Sequence, residues 1–250
     1  MNYLIATKKY YAEWLGVSPE LLDQNGMLYL TYSPNRDSVQ IGYQKPFYLY
    51  AYLAHQTMII TYGKKLGQNI DWIRAYFENN IDIDGLRKAV KERLGKNIQH
   101  DYKYVFSKLP SEIVFTQARQ LTREDYPAYL RFFLTLYPNN EAETWLAGYF
   151  KKITAKGYAF GLYIGDELVS ATDSPDMPYM KESVVEIGIN TLSAHRNQGY
   201  AKIVFNTMLK FIISIQKVPI VSCTSSNIAS QKLIESMGFM KLADVVSLSL

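Results

Sequence analysis

The sequence is poor in the residues that staple or metallate a fold. Its single cysteine, Cys223, excludes an internal disulfide and any cysteine-rich metal site. Set inside an apolar run, it reads as a packed thiol rather than a nucleophile. The three histidines, His55, His100 and His195, show no zinc-binding spacing, so no metal is predicted. No apolar run approaches the roughly 18 residues that cross a bilayer, and Lys8 and Lys9 interrupt the apolar start, so neither a membrane partner nor a signal-peptide core is expected. A cytoplasmic protein is the expectation. One-signed charge is also lacking: 27 Lys and Arg against 23 Asp and Glu leave no footprint for nucleic acid. Glu78, Asp82 and Asp84 lack the glycine and spacing of a calcium loop and mark a helix start instead. The basic stretch Gly63-Lys64-Lys65-Leu66-Gly67 lacks the Gly-Lys-Ser/Thr ending of a phosphate loop and reads as a surface turn.

What is present concentrates in 184–201. An apolar strand, 184–191, runs into Arg196-Asn197-Gln198-Gly199-Tyr200-Ala201, and apolar residues then recur at Val204, Phe205, Met208, Phe211, Ile212 and Ile215 with a helical period. The loop therefore sits at a helix N-terminus, where backbone N–H groups without intrahelical partners and the positive end of the helix dipole suit a phosphate. Gly199 lets the backbone turn sharply and approach a ligand closely. Downstream, Val218–Thr224 is a short β-rich run, followed by Ser225-Ser226-Asn227 and a helical stretch that stops at Met237-Gly238-Phe239. Asn227 or Ser226 can cap that helix, and Gly238 is placed to end it.

These two blocks, in this order, resemble the signatures of the GNAT superfamily of N-acyltransferases: Arg/Gln-x-x-Gly-x-Gly/Ala, matched by Arg196, Gly199 and Ala201, and Asn-x-x-Ser/Ala followed by a helix ending in Gly-Phe. The resemblance extends from about Ala118 to Leu250. It includes Arg119-Gln120-Leu121 as an opening strand, helices at 126–137 and 141–154, and a hairpin of 158–164 with 167–174 across Gly165-Asp166. It implies acetyl-CoA as cosubstrate, held by Ile189, Thr191, Arg196, Asn197, Gln198, Gly199, Tyr200, Ala201, Asn227 and Ser230, with no metal. The expected fold is α/β (α+β): a C-terminal GNAT mixed sheet flanked by helices at 111–250, preceded by a smaller α+β domain at 1–110. This layout, with Glu186-Ile187-Gly188-Ile189-Asn190-Thr191 before the loop, is similar to acetyltransferases of the zwittermicin-resistance type, which suggests a small amine as acceptor.

The first 110 residues hold 13 of the 21 tyrosines. Periodicity predicts helices at 3–15, 19–24, 69–78 and 83–94 and strands at 27–32, 47–53, 56–62 and 103–107, with a linker at Leu109-Pro110-Ser111-Glu112. Alternation places Tyr48, Tyr50 and Tyr52 on one side of a strand. Such tyrosines either form core or, at a cleft between domains, help hold an acceptor.

The chemistry implied by the family is attack of a neutral amine on an acetyl thioester. It calls for a base, oxyanion donors and a proton for the departing sulfur. Glu186, on the strand entering the loop, fits the glutamate that many members use as base through water; it equally fits a satisfied structural carboxylate. Many members carry a tyrosine four residues before the glycine of Gly-Phe as the acid, where this chain has Ile234. Ser230, a nearby tyrosine or bulk water would then serve, or a thiolate of pKa about 8.5 leaves unaided. The expected activity is N-acetylation of an amine; the alternative is a regulatory protein that binds acyl-CoA without turnover.

Overall fold

The computed structural model describes residues 1–41, 43–67, 70–76, 82–109 and 117–249. Helix α1 (Tyr3–Leu15) begins where the Asn2 side chain accepts from the Ile5 N–H and ends where Gly16 enters the left-handed region at φ 74°. Strands β1 (Leu28–Tyr32), β2 (Leu49–Ala54) and β3 (Thr57–Tyr62) follow, then α2 (Lys64–Gly67), α3 (Asp71–Tyr76), α4 (Ile83–Leu94) and β4 (Gln99–Phe106). Asp82 caps α4 and Gly95 ends it. The second half comprises β5 (Ala118–Gln120), α5 (Tyr126–Leu136), α6 (Leu146–Ala155), β6 (Phe160–Ile164), β7 (Glu167–Asp173), β8 (Val184–Glu186), β9 (Gly188–Thr191), α7 (Tyr200–Ser214), β10 (Val218–Thr224), α8 (Ile228–Ser236) and β11 (Phe239–Leu248). The fold is mixed α/β, a large mixed sheet flanked by helices.

Two sheets organise these elements: a seven-stranded one ordered β1-β3-β2-β11-β4-β10-β8 and a four-stranded one ordered β5-β6-β7-β9. Among the described residues, the segment before residue 110 carries no sheet of its own, because β11 lies antiparallel between β2 and β4, and β4 in turn lies between β11 and β10. The linker expected at 109–112 and the end of the helix expected at 69–78 run outside the described residues.

Strand alternation assigns the faces of the large sheet. Leu49, Ala51, Met58, Ile60, Val246 and Leu248 meet α4 through Ile83, Leu86 and Val90, whereas Tyr50, Tyr52, Ile59, Val245 and Ile220 meet α1 through Tyr10, Tyr11, Trp14 and Leu15. Tyr48 departs from the expected stripe. It precedes β2 and packs with the α4-side cluster, under the Lys65 ammonium at 4.7 Å. The expected turn at Gly63–Gly67 is instead the single helical turn α2, whose Leu66 is buried on that cluster. A third cluster joins α5, α6, α7 and α8 to the small sheet and to Tyr104, Phe106, Val185 and Val221 of the large one.

Asp125 ties the small sheet to α5. Its carboxylate accepts from both Arg119 Nη atoms at 2.9 and 2.6 Å, from the Thr122 N–H at 2.8 Å and from the Tyr163 hydroxyl at 2.8 Å. The Arg119 guanidinium and these donors outweigh desolvation and hold the carboxyl far below the usual carboxylate range. A depressed pKa stabilises the fold above the unfolded value and loses that contribution as pH falls. Asp125→Asn is therefore expected to cost about 1–3 kcal/mol at neutral pH, with the gap in melting temperature closing below about pH 4. Thermal unfolding from pH 3 to 8 checks this; a pH-independent gap contradicts it.

Candidate active site

The strand expected over 184–191 is two strands in two sheets. β8 runs parallel to β10 as far as Ile220 opposite Glu186, and the Ile187 N–H closes the ladder on the Ile220 carbonyl at 3.0 Å. From Gly188 onward the chain pairs with β7 alone, Gly188 opposite Asp173. Gly188 is needed there, since a Cβ would come within 2.8 Å of the Asp173 carbonyl oxygen. β9 and β10 therefore splay apart, leaving the β10-facing edge of β9 without a strand partner among the described residues. An open edge of this kind offers main-chain donors and acceptors to an extended ligand.

The splay opens beside the N-terminus of α7. The loop before it passes through Asn197 and Gly199 in the left-handed region, at φ 61° and 83°. Asn and Gly are the residues that tolerate this. Gly199 is the N-cap, no side chain caps the helix, and the position a Cβ would take has no atom within 4 Å. The first N–H groups of α7 thus face a cavity of about 400 Å³. Ile189, Thr191, Arg196, Asn197, Gly199, Tyr200, Ala201, Asn227 and Ser230 line it, so the geometry brings together all the residues singled out for the cofactor except Gln198, which is exposed outside it. Arg196 is anchored by its Nε on the Thr191 carbonyl at 3.3 Å. Asn227 also caps α8, accepting from the Ser230 N–H at 3.0 Å. The cavity adds Asn190, His195, Lys202, Ala229 and Leu233. Of these, Lys202 brings a second cation to the first turn of α7, a signal readable from its place in the helix. Ile234 is buried in the core and brings no proton donor.

Glu186 lies across the splay from this cavity. Its Oε1 accepts from the Ser222 hydroxyl of β10 at 3.1 Å, and Ser174 Oγ donates to its carbonyl at 2.9 Å. Burial pushes its pKa up; Lys103 and the Ser222 hydrogen bond act against that, while Asp173 and Asp101 add to it. Glu186 lines two further cavities, of about 300 and 280 Å³, which also share Tyr10, Trp14 and Tyr43. The second of them reaches Ile187, Gly188 and Ser222, so the chain passes from that pocket to the cavity at α7 between consecutive residues, Gly188 and Ile189. Cys223, next to Ser222, is half-buried with its thiol near the Tyr104 hydroxyl, and burial pushes its pKa up, which keeps it protonated. Among the described residues no group of three His, Cys, Asp or Glu could hold a metal ion, and no helix is long and apolar enough to cross a membrane.

A sheet opened beside an uncapped, cation-rimmed helix N-terminus, with a carboxylate across the opening, defines an α/β fold with a site for an extended anionic ligand. The chain belongs to the GNAT acetyltransferase family, whose sequence profile matches residues 77–244. Among solved structures it is similar to an acetyltransferase from the GNAT family of Colwellia psychrerythraea (20% identity, 62% of this chain and 57% of that one, TM-score 0.55). It is also similar to a GCN5-related N-acetyltransferase from Sphaerobacter thermophilus (12% identity, 66% and 55%, TM-score 0.52). The chain thus spans less than two thirds of the length of these structures, and at such identity the likeness is one of fold. No curated protein matches the chain in sequence.

Proposed function

We propose that the protein is a cytoplasmic acetyl-CoA-dependent N-acetyltransferase acting on a small amine. The observation that carries this reading is the splay itself, which joins a cavity at an uncapped helix N-terminus to a half-buried carboxylate on the other side of one strand. The residues present fit the cosubstrate. The α7 amides, Arg196 and Lys202 would hold the pyrophosphate, the open edge of β9 the amide-bearing arm, and Asn227 and Ser230 the far wall. Acetyl-CoA supplies an acyl thioester. Glu186 takes the proton that the incoming ammonium must lose, directly or through water, and its upward-shifted pKa brings it closer to neutrality, where a general base is most effective. Ser222 holds the carboxylate in place from the neighbouring strand. For the departing sulfur, Thr191, Tyr200 and Ser230 bring hydroxyls to the cofactor-side cavity, and a thiolate of pKa about 8.5 also leaves unaided.

The buried Ile234 supports a second reading, a regulatory protein that binds acyl-CoA without turnover. Two measurements separate these. Millimolar acetyl-CoA is expected to raise the melting temperature, since ligand at a hundred times its Kd stabilises by about 2.7 kcal/mol, and thiol release with a panel of amines reports turnover. Stabilisation without thiol release favours the regulator. A folded protein that gains no stability from acetyl-CoA or CoA overturns both.

A further inference from the structure

Across Glu186 from the cofactor-side cavity lies a pocket with one aromatic and one polar wall. Tyr10, Trp14, Tyr43, Phe47 and Tyr50 line it, drawn from α1, the loop before β2 and β2 itself. The rings support one another. Tyr43 meets Phe47 edge-on with centroids 4.6 Å apart, and Trp14 stands 6.0 Å from Tyr43, 6.1 Å from Phe47 and 5.7 Å from Tyr50. Arg36, fully buried and absent from the pocket lining, places its guanidinium 5.7 Å from the Trp14 ring and 5.1 Å from the Tyr50 ring, and its Nη2 donates to the Trp14 carbonyl at 2.6 Å. It fixes two wall rings from behind and leaves the pocket side to a ligand.

The rest of the lining is largely polar and includes two lysines, Lys45 and Lys103. Glu186 accepts from the Ser222 hydroxyl and feels the charge of Lys103. Asp101 is already occupied, accepting twice from Gln99 Nε2 at 3.0 Å and lying 3.9 Å from Lys103, and Ser247 and Ser249 add hydroxyls. The pocket thus sets an aromatic wall beside one carboxylate, Glu186, that makes no ion pair among the described residues, whereas Asp101 lies against Lys103. Its volume of about 300 Å³ equals that of about ten water-sized groups, at the low end of small-molecule sites.

We infer that the acceptor is an arylalkylamine: a single ammonium at Glu186, joined by a short linker to one flat ring among Trp14, Tyr43, Phe47 and Tyr50, and carrying no second positive charge. This inference rests on the acetyltransferase reading above. The ammonium is held by the carboxylate and by the faces of the surrounding rings, and the ring by offset and edge contacts. Lys45 and Lys103 on the lining repel a second ammonium. In the transfer the ammonium releases a proton to Glu186, the nitrogen lone pair forms the C–N bond, and the C–S bonding pair leaves with sulfur. R–NH3+ and the thioester become the amide, the free thiol and one proton.

Tyramine, with about ten non-hydrogen atoms, is the probe that matches this volume. With acetyl-CoA and the full chain, its kcat/KM is expected to exceed those of spermidine, glucosamine and an unblocked tripeptide by at least tenfold. Trp14 is buried, so the exposed Tyr43 carries the mutational test. Tyr43→Ala is expected to raise the tyramine KM about tenfold or more while kcat changes little, the acetyl-CoA melting shift is kept and Tyr43→Phe restores KM. An equal or better rate with spermidine, glucosamine or the peptide overturns the inference, as does a tyramine KM that Tyr43→Ala leaves within twofold. So does a CoA-saturated protein that neither acetylates tyramine nor binds it at millimolar concentration by calorimetry; in each of these the acetyltransferase reading stands. Absence of any acetyl-CoA or CoA shift in folded protein removes that reading, and this inference with it.

Discussion

Glu186→Gln is expected to lower turnover by roughly a hundredfold or more, the size of effect that loss of a positioned base produces, and to leave the acetyl-CoA melting shift intact. The substitution keeps the acceptor for the Ser222 hydroxyl and the strand pairing of β8 with β10, so what it removes is the proton acceptor. Two pH signatures accompany it. In the wild type, kcat/KM should climb with pH through an apparent pKa above the ordinary carboxylate range, because burial raises the Glu186 value, and this limb should vanish in the variant. Stability should move the other way. A carboxyl whose folded pKa is raised contributes stability that is present at acid pH and lost as pH rises through the folded value. Glu186→Gln, which cannot ionise, should therefore be at least as stable as the wild type at pH 8, with the two converging toward pH 4. Unchanged turnover across this range would return Glu186 to a purely structural role.

Local signals in the sequence locate the helices well and the sheets less well. The bounds of α1 and α4 coincide with the periodic reading because each end is marked chemically, by Asn2 and Gly16 for one and by Asp82 and Gly95 for the other. The same holds for the loop before α7, where Gly199 and the apolar period that follows fix the helix start, and the residues singled out there gather at one cavity apart from Gln198. Alternation in a strand states which residues share a face and is silent on which strand lies beside it. The placement of β11 between β2 and β4 joins residues nearly 200 positions apart in sequence, and nothing in either segment announces it. The break of 184–191 into β8 and β9 is set by partners on opposite flanks, Ile220 and Asp173, rather than by Ile187 itself. The aromatic pocket illustrates the consequence. Tyr50 is legible as an inward-facing residue of an alternating strand, but its neighbours Trp14 and Tyr43 arrive from a helix and a loop that only the assembled sheet brings to Glu186.

Gly199→Asp is expected to abolish the acetyl-CoA melting shift while the protein stays folded. The position a Cβ would take at Gly199 is open, so the new side chain meets no steric barrier from its neighbours, and an N-cap aspartate is compatible with a helix start. The cost to the fold is confined to holding an L side chain at φ 83°, on the order of 1–2 kcal/mol. The cost to the ligand is larger. A carboxylate at the N-cap stands where the α7 amides face the cavity and adds a negative charge to a site that would otherwise offer a phosphate only donors and the cations of Arg196 and Lys202. Two like charges about 4 Å apart at an effective dielectric near 20 repel by about 4 kcal/mol, close to three powers of ten in affinity. Gly199→Asn separates charge from bulk, since asparagine has nearly the same size, tolerates the left-handed region better and carries no charge. The asparagine variant should keep a reduced but measurable shift, and the difference between the two should shrink as salt rises, because the repulsion is partly screened. Equal loss in both variants would mean that volume rather than charge excludes the ligand. A full acetyl-CoA shift in Gly199→Asp would mean that the α7 N-terminus does not hold the pyrophosphate at all.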